Sequence, residues 1–227
     1  MRKLTSLLLF SILSFASYAQ DADALLSGIV LKMQKVKDYK VEALITSDIP
    51  MVKILPSKAT IYFKQKDKIK IDAKGIAIVP KQGFNDISKL LADKNSYTAI
   101  YMMKETVNGI ATELVSIFPK SDTSDLVLSK LWIDPVNDIV IKSQTTTRSS
   151  GTVTVEYKYG SQKSWGLPDQ LIFTVDVKKF KIPKGVATDL NKKSDKKENE
   201  KEQKQGKITI DLTSYVINKG IKDEVFK

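Results

Sequence analysis

The side chains of this chain that could take part in chemistry are carboxylates, lysines and tyrosines, because its 227 residues include neither cysteine nor histidine. The missing cysteine excludes disulfides, thiol catalysis and thiolate metal sites, and the missing histidine removes the commonest general base. Asp134 precedes Pro135 and Asp169 follows Pro168, but both combinations are typical of turns. No spacing of acids, tyrosines and lysines forms a recognisable active site. The sequence therefore predicts a binding protein and not an enzyme, with no cofactor and no metal.

The formal net charge of +11 suits either nucleic acid or an anionic membrane surface in principle. The lysines, however, are spread along the chain and concentrated in the mixed-charge run 191–206, NKKSDKKENEKEQKQG. This distribution favours a solvated surface and predicts no nucleic-acid partner. Such a run cannot bury enough apolar surface to order itself. Residues 190–206 are accordingly predicted to be a mobile charged loop, with polyanion binding as the alternative.

The first nineteen residues have the pattern of a signal peptide. Arg2 and Lys3 precede the apolar run Leu4–Phe15, and Ser17-Tyr18-Ala19 provides a small-residue cleavage site. The apolar run is shorter than the roughly 20 residues of a membrane-spanning helix. We expect cleavage near Ala19, a single domain over 20–227, and a location in the periplasm.

The stretch Leu131–Gly160 is the clearest part of the predicted sheet. It contains three extended segments, joined by one turn after Asp134 and a second around 148–151. In the last segment Val153 and Val155 alternate with polar residues, followed at the same parity by two tyrosines, Tyr157 and Tyr159. This period of two predicts a half-buried antiparallel strand.

Helices and hairpins are predicted on both sides of this stretch. Asp21 to Val36 has helical apolar spacing with an aspartate cap, and Gln82 to Lys94 reads as a short amphipathic helix. The apolar residues of 59–73 keep one parity through both arms of a hairpin, which requires a three-residue loop, placed at 66–68. Asn108-Gly109 is a strong hairpin signal.

Three consecutive segments carry apolar residues on both faces and must therefore be covered on both sides: 97–104, 109–118 and 126–133. One-sided strands are predicted at 39–47, 170–179 and 207–217. The total is about ten antiparallel strands with two helices. Such a chain either closes into a barrel or curls into an open half-barrel around a helix.

At this level the chain resembles the LolA-like family of periplasmic outer-membrane lipoprotein carriers. The resemblance rests on the helix followed by a meander, and on the segments ATIYFKQKDKIKIDAKG, LWIDPVNDIVIKSQ and LPDQLIFTVDV before the final ITIDL. It implies a mainly β fold with two helices (α+β), an antiparallel incomplete β-barrel whose helical lid encloses an apolar cavity. Lys70 stands where the family has an arginine that ties barrel to lid, and Lys66 stands where its turn has proline.

The resemblance also implies a set of candidate residues. The lid candidates are Phe84, Ile87, Leu90 and Leu91, and the candidate latch is Lys70. The candidates for binding cargo are apolar residues of the strands: Ile61, Phe63, Ile69, Ile71, Tyr97, Tyr101, Met103, Leu114, Phe118, Trp132, Phe173 and Val175.

The expected function is that of a monomeric carrier for the acyl chains of lipoproteins or another envelope lipid. The resemblance implies an inner-membrane donor transporter and an outer-membrane acceptor as partners. Moving one sixteen-carbon chain into water costs roughly 12 kcal/mol, so lipid needs shielding between membranes. The alternative is an envelope binding module on the same fold that senses lipid or misfolded protein.

Overall fold

The computed structural model describes residues 21–50, 54–66, 68–73, 86–176 and 205–227. Two α-helices in this part are α1 (Ala22–Gln34) and α2 (Asp86–Leu91). Its strands are β1 (Asp38–Asp48), β2 (Ser57–Lys64), β3 (Lys68–Ala73), β4 (Tyr97–Val107), β5 (Ile110–Pro119), β6 (Leu126–Asp134), β7 (Ile139–Thr147), β8 (Gly151–Lys158), β9 (Gln170–Asp176) and β10 (Gln205–Ile217).

These ten strands form one antiparallel sheet in the order β3-β2-β1-β10-β9-β8-β7-β6-β5-β4. Strands that follow one another in sequence are paired, with the exception of β3 and β4, and β1 pairs in addition with β10. Strands β3 and β4 are the two ends of the sheet and are not paired with each other in the described part of the chain. The sheet is therefore open, which confirms the predicted half-barrel class and excludes the closed barrel.

One face of this sheet carries most of the core. Residues directly opposite each other on paired strands share a face. A row of such residues crosses β6 to β10, and it consists of Leu131, Ser143, Val155, Phe173 and Ile208. Helix α1 packs on this face over β5 and β6. We call it the helix face and the opposite one the outer face.

Helix α1 begins and ends close to its predicted bounds. The Asp21 carboxylate accepts the Asp23 N–H at 2.9 Å and so caps the helix as predicted. The last turn tightens, because the Lys35 and Val36 N–H groups bind carbonyls three residues back. A salt bridge of 2.9 Å between Asp23 and Lys94 ties the start of the helix to the segment before β4.

The outer face has a small core of its own behind β5 to β7, formed by Val107, Leu114, Trp132, Ile139 and Ile141. The indole of Trp132 donates to Glu105 at 2.7 Å.

The prediction that strand 97–104 is covered on both sides is wrong. Ile100, Met102 and Met103 of β4 are about half exposed. The physical reason is that β4 is an end strand, so its outer face has a neighbouring strand on one side only.

Three further predictions need correction or lie outside the described residues. Lys68 belongs to β3 and not to the hairpin loop predicted at 66–68, because it pairs with Lys64. Gln205 and Gly206 belong to β10, because they pair with Asp176 and Val175. The rest of the charged run, the signal peptide and residues 82–85 of the predicted second helix lie outside the described part; within it, that helix spans only Asp86–Leu91.

Candidate functional site

A cavity of about 160 Å³ lies between α1 and one end of the sheet. This is the end at which β1, β7 and β9 begin and β2, β8 and β10 finish, and we call it the cavity end. Helix α1 contributes one wall with Ile29, Lys32 and Met33, and Val36 of the loop after the helix continues it. These side chains follow one another at helical spacing, so they face the cavity together.

Aromatic rings form the opposite wall. The cavity is lined on this side by Tyr39 of β1, Phe63 of β2, Tyr157 of β8, Tyr159 just after β8 and Tyr215 of β10. Tyr39 stacks on Phe63 with ring centroids 5.0 Å apart and meets Tyr215 edge to face at 5.7 Å. Such aromatic pairs contribute about 0.5–1.5 kcal/mol beyond burial, so this wall is a fixed part of the fold.

Two tyrosine hydroxyls of this wall donate to backbone carbonyls. Tyr159 donates to the Val140 carbonyl at 2.9 Å and Tyr215 to the Pro168 carbonyl at 2.7 Å. Burial raises the pKa of both phenols, and of Tyr39, above the ordinary value near 10. The aromatic wall is therefore uncharged at neutral pH.

The turn between β6 and β7 holds α1 at the cavity. Asp134 shapes this turn, since its carboxylate accepts the Val136 and Asn137 N–H groups at 2.9 and 3.1 Å. The Lys32 ammonium donates to the Asn137 carbonyl, and the Asp138 carboxylate lies where a Cβ at Gly28 would be. Asp134 is thus a turn residue, as the sequence predicted.

A loop between β8 and β9 closes the side of the cavity with Trp165, Gly166, Leu167 and Pro168. Gly166 has φ +70°, and a Cβ there would also lie only 3.0 Å from Cδ of Lys32. A glycine at this position lets the loop approach α1 in a left-handed conformation.

Helix α2 lies across the cavity from the sheet. Ile87 and Ser88 line the cavity, while Leu90 and Leu91 pack into the cluster formed by α1 and the sheet. Three of the four lid candidates thus lie at α1 or the cavity, and the fourth, Phe84, is outside the described residues.

The predicted cargo residues occupy several different places. Phe63 lines the cavity. Ile61, Phe173 and Val175 are fully buried in the core of the helix face, with Ile71 packed against it, and Ile69 of β3 is half-buried. Tyr97 and Tyr101 pack in the cluster beneath α1. Leu114 and Trp132 belong to the core of the outer face, and Met103 and Phe118 are exposed.

Ile69 and Ile71 pair with Phe63 and Ile61, whose side chains are on the helix face. Lys70 lies between them in β3 and is therefore on the outer face. Its ammonium donates to the Lys227 carbonyl at 3.3 Å. The observed contact is with the C-terminal segment, so the predicted latch to the helices receives no support from it.

The sequence reasoning missed Trp165 and the tyrosines as cavity residues. The signal for Tyr157 and Tyr159 was present, since they continue the inward parity of Val153 and Val155. For Tyr215 and Trp165 the sequence held no comparable signal. Tyr215 has the opposite parity to Leu212 but lines the same cavity, because the register of β1 and β10 shifts between them, and Trp165 lies in the loop between β8 and β9.

Buried carboxylates of the described residues hold the fold together. Asp38 accepts the Lys219 and Gly220 N–H groups at 3.1 Å, and Glu113 accepts the Tyr101 hydroxyl at 2.7 Å. In the same part of the chain no group of three acidic residues could hold a metal ion. Nor is any helix there long and apolar enough to cross a membrane. The arrangement can enclose an apolar group.

Comparison with known proteins gives likeness at the level of structure. No protein-family model matches the sequence, and no curated protein matches it. A LolA superfamily protein from Nitrosomonas europaea aligns with a TM-score of 0.59 at 10% identity, covering 91% of this chain and 97% of that one. A DUF1329 family protein from Desulfovibrio piger aligns with a TM-score of 0.55 at 13% identity and the same coverage.

A third similar structure is a domain named for outer membrane lipoprotein sorting, from Vibrio parahaemolyticus. Its TM-score is 0.52 at 11% identity, again over 91% of this chain and 97% of that one. The open ten-stranded sheet with its helices is therefore the LolA-like fold, which confirms the fold that the resemblance in sequence implied.

Proposed function

We propose that this protein is a lipid carrier that shields acyl chains of lipoproteins or another envelope lipid in the cavity beneath α1 and α2. The observation that carries the proposal is the aromatic and apolar cavity at an open end of the half-barrel. A cavity of this character binds by excluding water and needs no catalytic group. The likeness to LolA-like structures agrees with this role.

The size of the cavity indicates how loading would proceed. An apolar cavity of about 150 Å³ accepts a molecule as small as benzene, and the cavity here has about 160 Å³. A long acyl chain therefore requires the cavity to grow. Helix α2 is the element whose movement enlarges it, because Ile87 and Ser88 form part of its wall.

The energetics favour displacement of α2 by cargo. Each methylene removed from water contributes about 0.8 kcal/mol, whereas among residues 87–91 of α2 Leu91 is the one buried side chain. A few methylenes of cargo therefore offset the loss of that contact. Cargo binding and helix docking compete for the same apolar surface.

The same proposal includes location and partners. We infer a periplasmic, monomeric carrier that receives cargo from an inner-membrane donor transporter and delivers it to an outer-membrane acceptor. The support is the export pattern of residues 1–19 together with the LolA-like fold.

A matched pair of substitutions on α1 tests the cavity directly. Met33→Trp places an indole in the cavity wall, whereas Leu31→Trp adds the same group on the exposed side of the same helix. Titration with a fluorescent fatty acyl probe should show at least about tenfold weaker binding for Met33→Trp and no change for Leu31→Trp. Equal binding by both variants and the unmodified protein, or no binding by any, would contradict the proposal.

A further inference from the structure

Three loops meet at one corner of the cavity end. The Asn218 side chain accepts the Lys37 N–H at 2.7 Å and donates to the Lys35 carbonyl at 2.9 Å. The backbone N–H of Gln65 donates to the Lys37 carbonyl at 2.8 Å, and the side-chain amide of Gln65 donates to the Val36 carbonyl at 3.1 Å. These bonds fix the α1–β1 loop, the β2–β3 loop and the segment after β10 against one another.

The three loops bring together lysines that are far apart in sequence. The segments 35–38, 64–68 and 218–224 contain seven lysines and four acidic residues. Five of the lysines are exposed, and we call them the basic corner: Lys35, Lys37, Lys66, Lys219 and Lys222. Within the described residues none of the five takes part in an ion pair.

Two of the three acidic residues that the structure describes at this corner, Asp38 and Asp223, are already engaged. The third, Glu224, is exposed and forms no ion pair among the described residues, so it opposes one of the five positive charges. Asp38 is buried and accepts backbone N–H groups of the segment after β10. Asp223 binds Lys64 at 2.7 Å and Lys68 at 3.1 Å, and these lysines, Lys64 first, lower its pKa. The charge of the five exposed lysines is thus not neutralised by Asp38 or Asp223.

The basic corner borders the cavity directly. Val36, which lies between Lys35 and Lys37, is a cavity residue, and so is Phe63 beside Lys64. A surface that binds the corner would therefore lie against the cavity end. In the sequence the lysines are spread along the chain, which favoured a solvated surface. The five lysines of the basic corner come together because the fold brings three separate segments side by side.

We propose that the basic corner docks the protein on an anionic phospholipid surface, with the cavity end facing the membrane. Lysine is a flexible point charge that suits the diffuse charge of phosphate headgroups, and each lysine near such a surface contributes about 1 kcal/mol. The neighbouring apolar cavity favours a membrane over nucleic acid as the source of that charge, because only a membrane offers acyl chains beside the phosphates.

Vesicle binding of the full chain tests this inference. Cosedimentation would compare vesicles of phosphatidylcholine alone with vesicles of phosphatidylcholine and phosphatidylglycerol in equal parts. The test variant replaces Lys35, Lys37, Lys219 and Lys222 with Gln. A control variant removes the same charge outside the corner, at Lys58, Lys120, Lys130 and Lys207. Circular dichroism confirms that both variants are folded.

The expected result is binding to the anionic vesicles only, weakened at least about tenfold by the corner substitutions and much less by the control substitutions. Binding should also be lost at 1 M salt, where the screening length is about 3 Å. Equal weakening by both variants would show attraction by net charge alone and overturn the inference. So would wild-type binding to a DNA duplex without binding to the vesicles.

The outcome is separable from that of the carrier proposal. Vesicle docking depends on surface lysines and is measured without a cavity probe, whereas Met33→Trp affects the cavity and leaves the corner unchanged. Either test can fail while the other succeeds.

Discussion

Replacing Leu91 with Asp separates a detachable lid from a rigid core. Leu91 of α2 is 4% exposed and shares its cluster with Leu131 of β6, which is 0% exposed. The two leucines are thus matched in residue type, burial and surroundings. They differ in the element that carries them, a six-residue helix in one case and an interior strand of the sheet in the other.

The expected cost follows from what holds α2 in place. Burial of Leu91 contributes about 1.5–3 kcal/mol, and the half-buried Ile87 and Leu90 add about half of that each. These contributions total roughly 3–6 kcal/mol, and ordering six backbone residues costs about 6 kcal/mol or more. Docking of α2 is therefore at most weakly favourable. An unpaired carboxylate in the cluster costs several kcal/mol, which exceeds what docking can offset, and α2 should detach.

Once α2 has detached, Leu91→Asp cannot lower the free energy of unfolding by more than the docking free energy of α2. We expect a loss of less than about 3 kcal/mol, measured by urea unfolding followed with circular dichroism. Leu131 lies on an interior strand that cannot detach from the sheet. Leu131→Asp should therefore lower the free energy of unfolding by at least about 5 kcal/mol or prevent folding. Binding of a fluorescent acyl probe to Leu91→Asp should tighten, because the probe no longer displaces α2. If Leu91→Asp is as destabilising as Leu131→Asp, α2 is part of a rigid core and the reasoning is refuted.

Three further outcomes are expected. Gly28→Ala should lower the unfolding free energy, because overlap of its Cβ with the Asp138 carboxylate, at about 1–3 kcal/mol, exceeds the gain of about 1 kcal/mol from alanine inside a helix. With Asp138→Gly present, the same change should raise the unfolding free energy. Asn218→Gly keeps the positive φ but loses the two side-chain bonds described above and a longer third one from the Asp38 N–H, so urea unfolding should show a loss of about 1–2 kcal/mol; an unchanged value would mean that these bonds contribute nothing. The bond to Glu113 raises the pKa of Tyr101 to about 12, so its stabilisation is complete below pH 10 and lost as pH rises through 12; Glu113→Gln should move its absorbance titration toward 10, and no movement would disprove the assigned cause.

Local patterns in the sequence were sufficient for most of the sheet. Asn108 and Gly109 both have positive φ, as the hairpin between β4 and β5 requires. The single parity of Ile61, Phe63 and Ile71 also predicted that these residues share one face of the β2–β3 hairpin. The predicted register was wrong, because Phe63 pairs with Ile69 and not with Ile71. The turn and the shared face depend on residues within a few positions of one another, and such information is present in a single sequence.

Non-local packing explains what the sequence did not predict. The cavity depends on where α1 crosses the sheet and on the approach of Trp165, neither of which leaves a periodic signal. Exposure of Ile100 and Met102 follows from the end position of β4, which has β5 as its partner and is not paired with β3 in the described part of the chain. Apolar residues on a strand therefore predicted a core more readily than they predicted a binding site.

The basic corner gives a second case of the same kind. Lys35 and Lys219 are separated by most of the chain and become neighbours through the two bonds of Asn218. In the sequence each belongs to an ordinary polar loop. Charge counted along the chain could not distinguish this corner from the rest of a basic protein.

Native mass spectrometry of the protein purified from its own cell envelope tests the central claim most directly. The carrier account predicts a population carrying an added mass that matches an acyl lipid or lipidated polypeptide. Met33→Trp should reduce that population, whereas the exposed control Leu31→Trp should retain it. A protein that carries no added mass, or one whose added mass is unaffected by Met33→Trp, would contradict the claim that this cavity holds lipid.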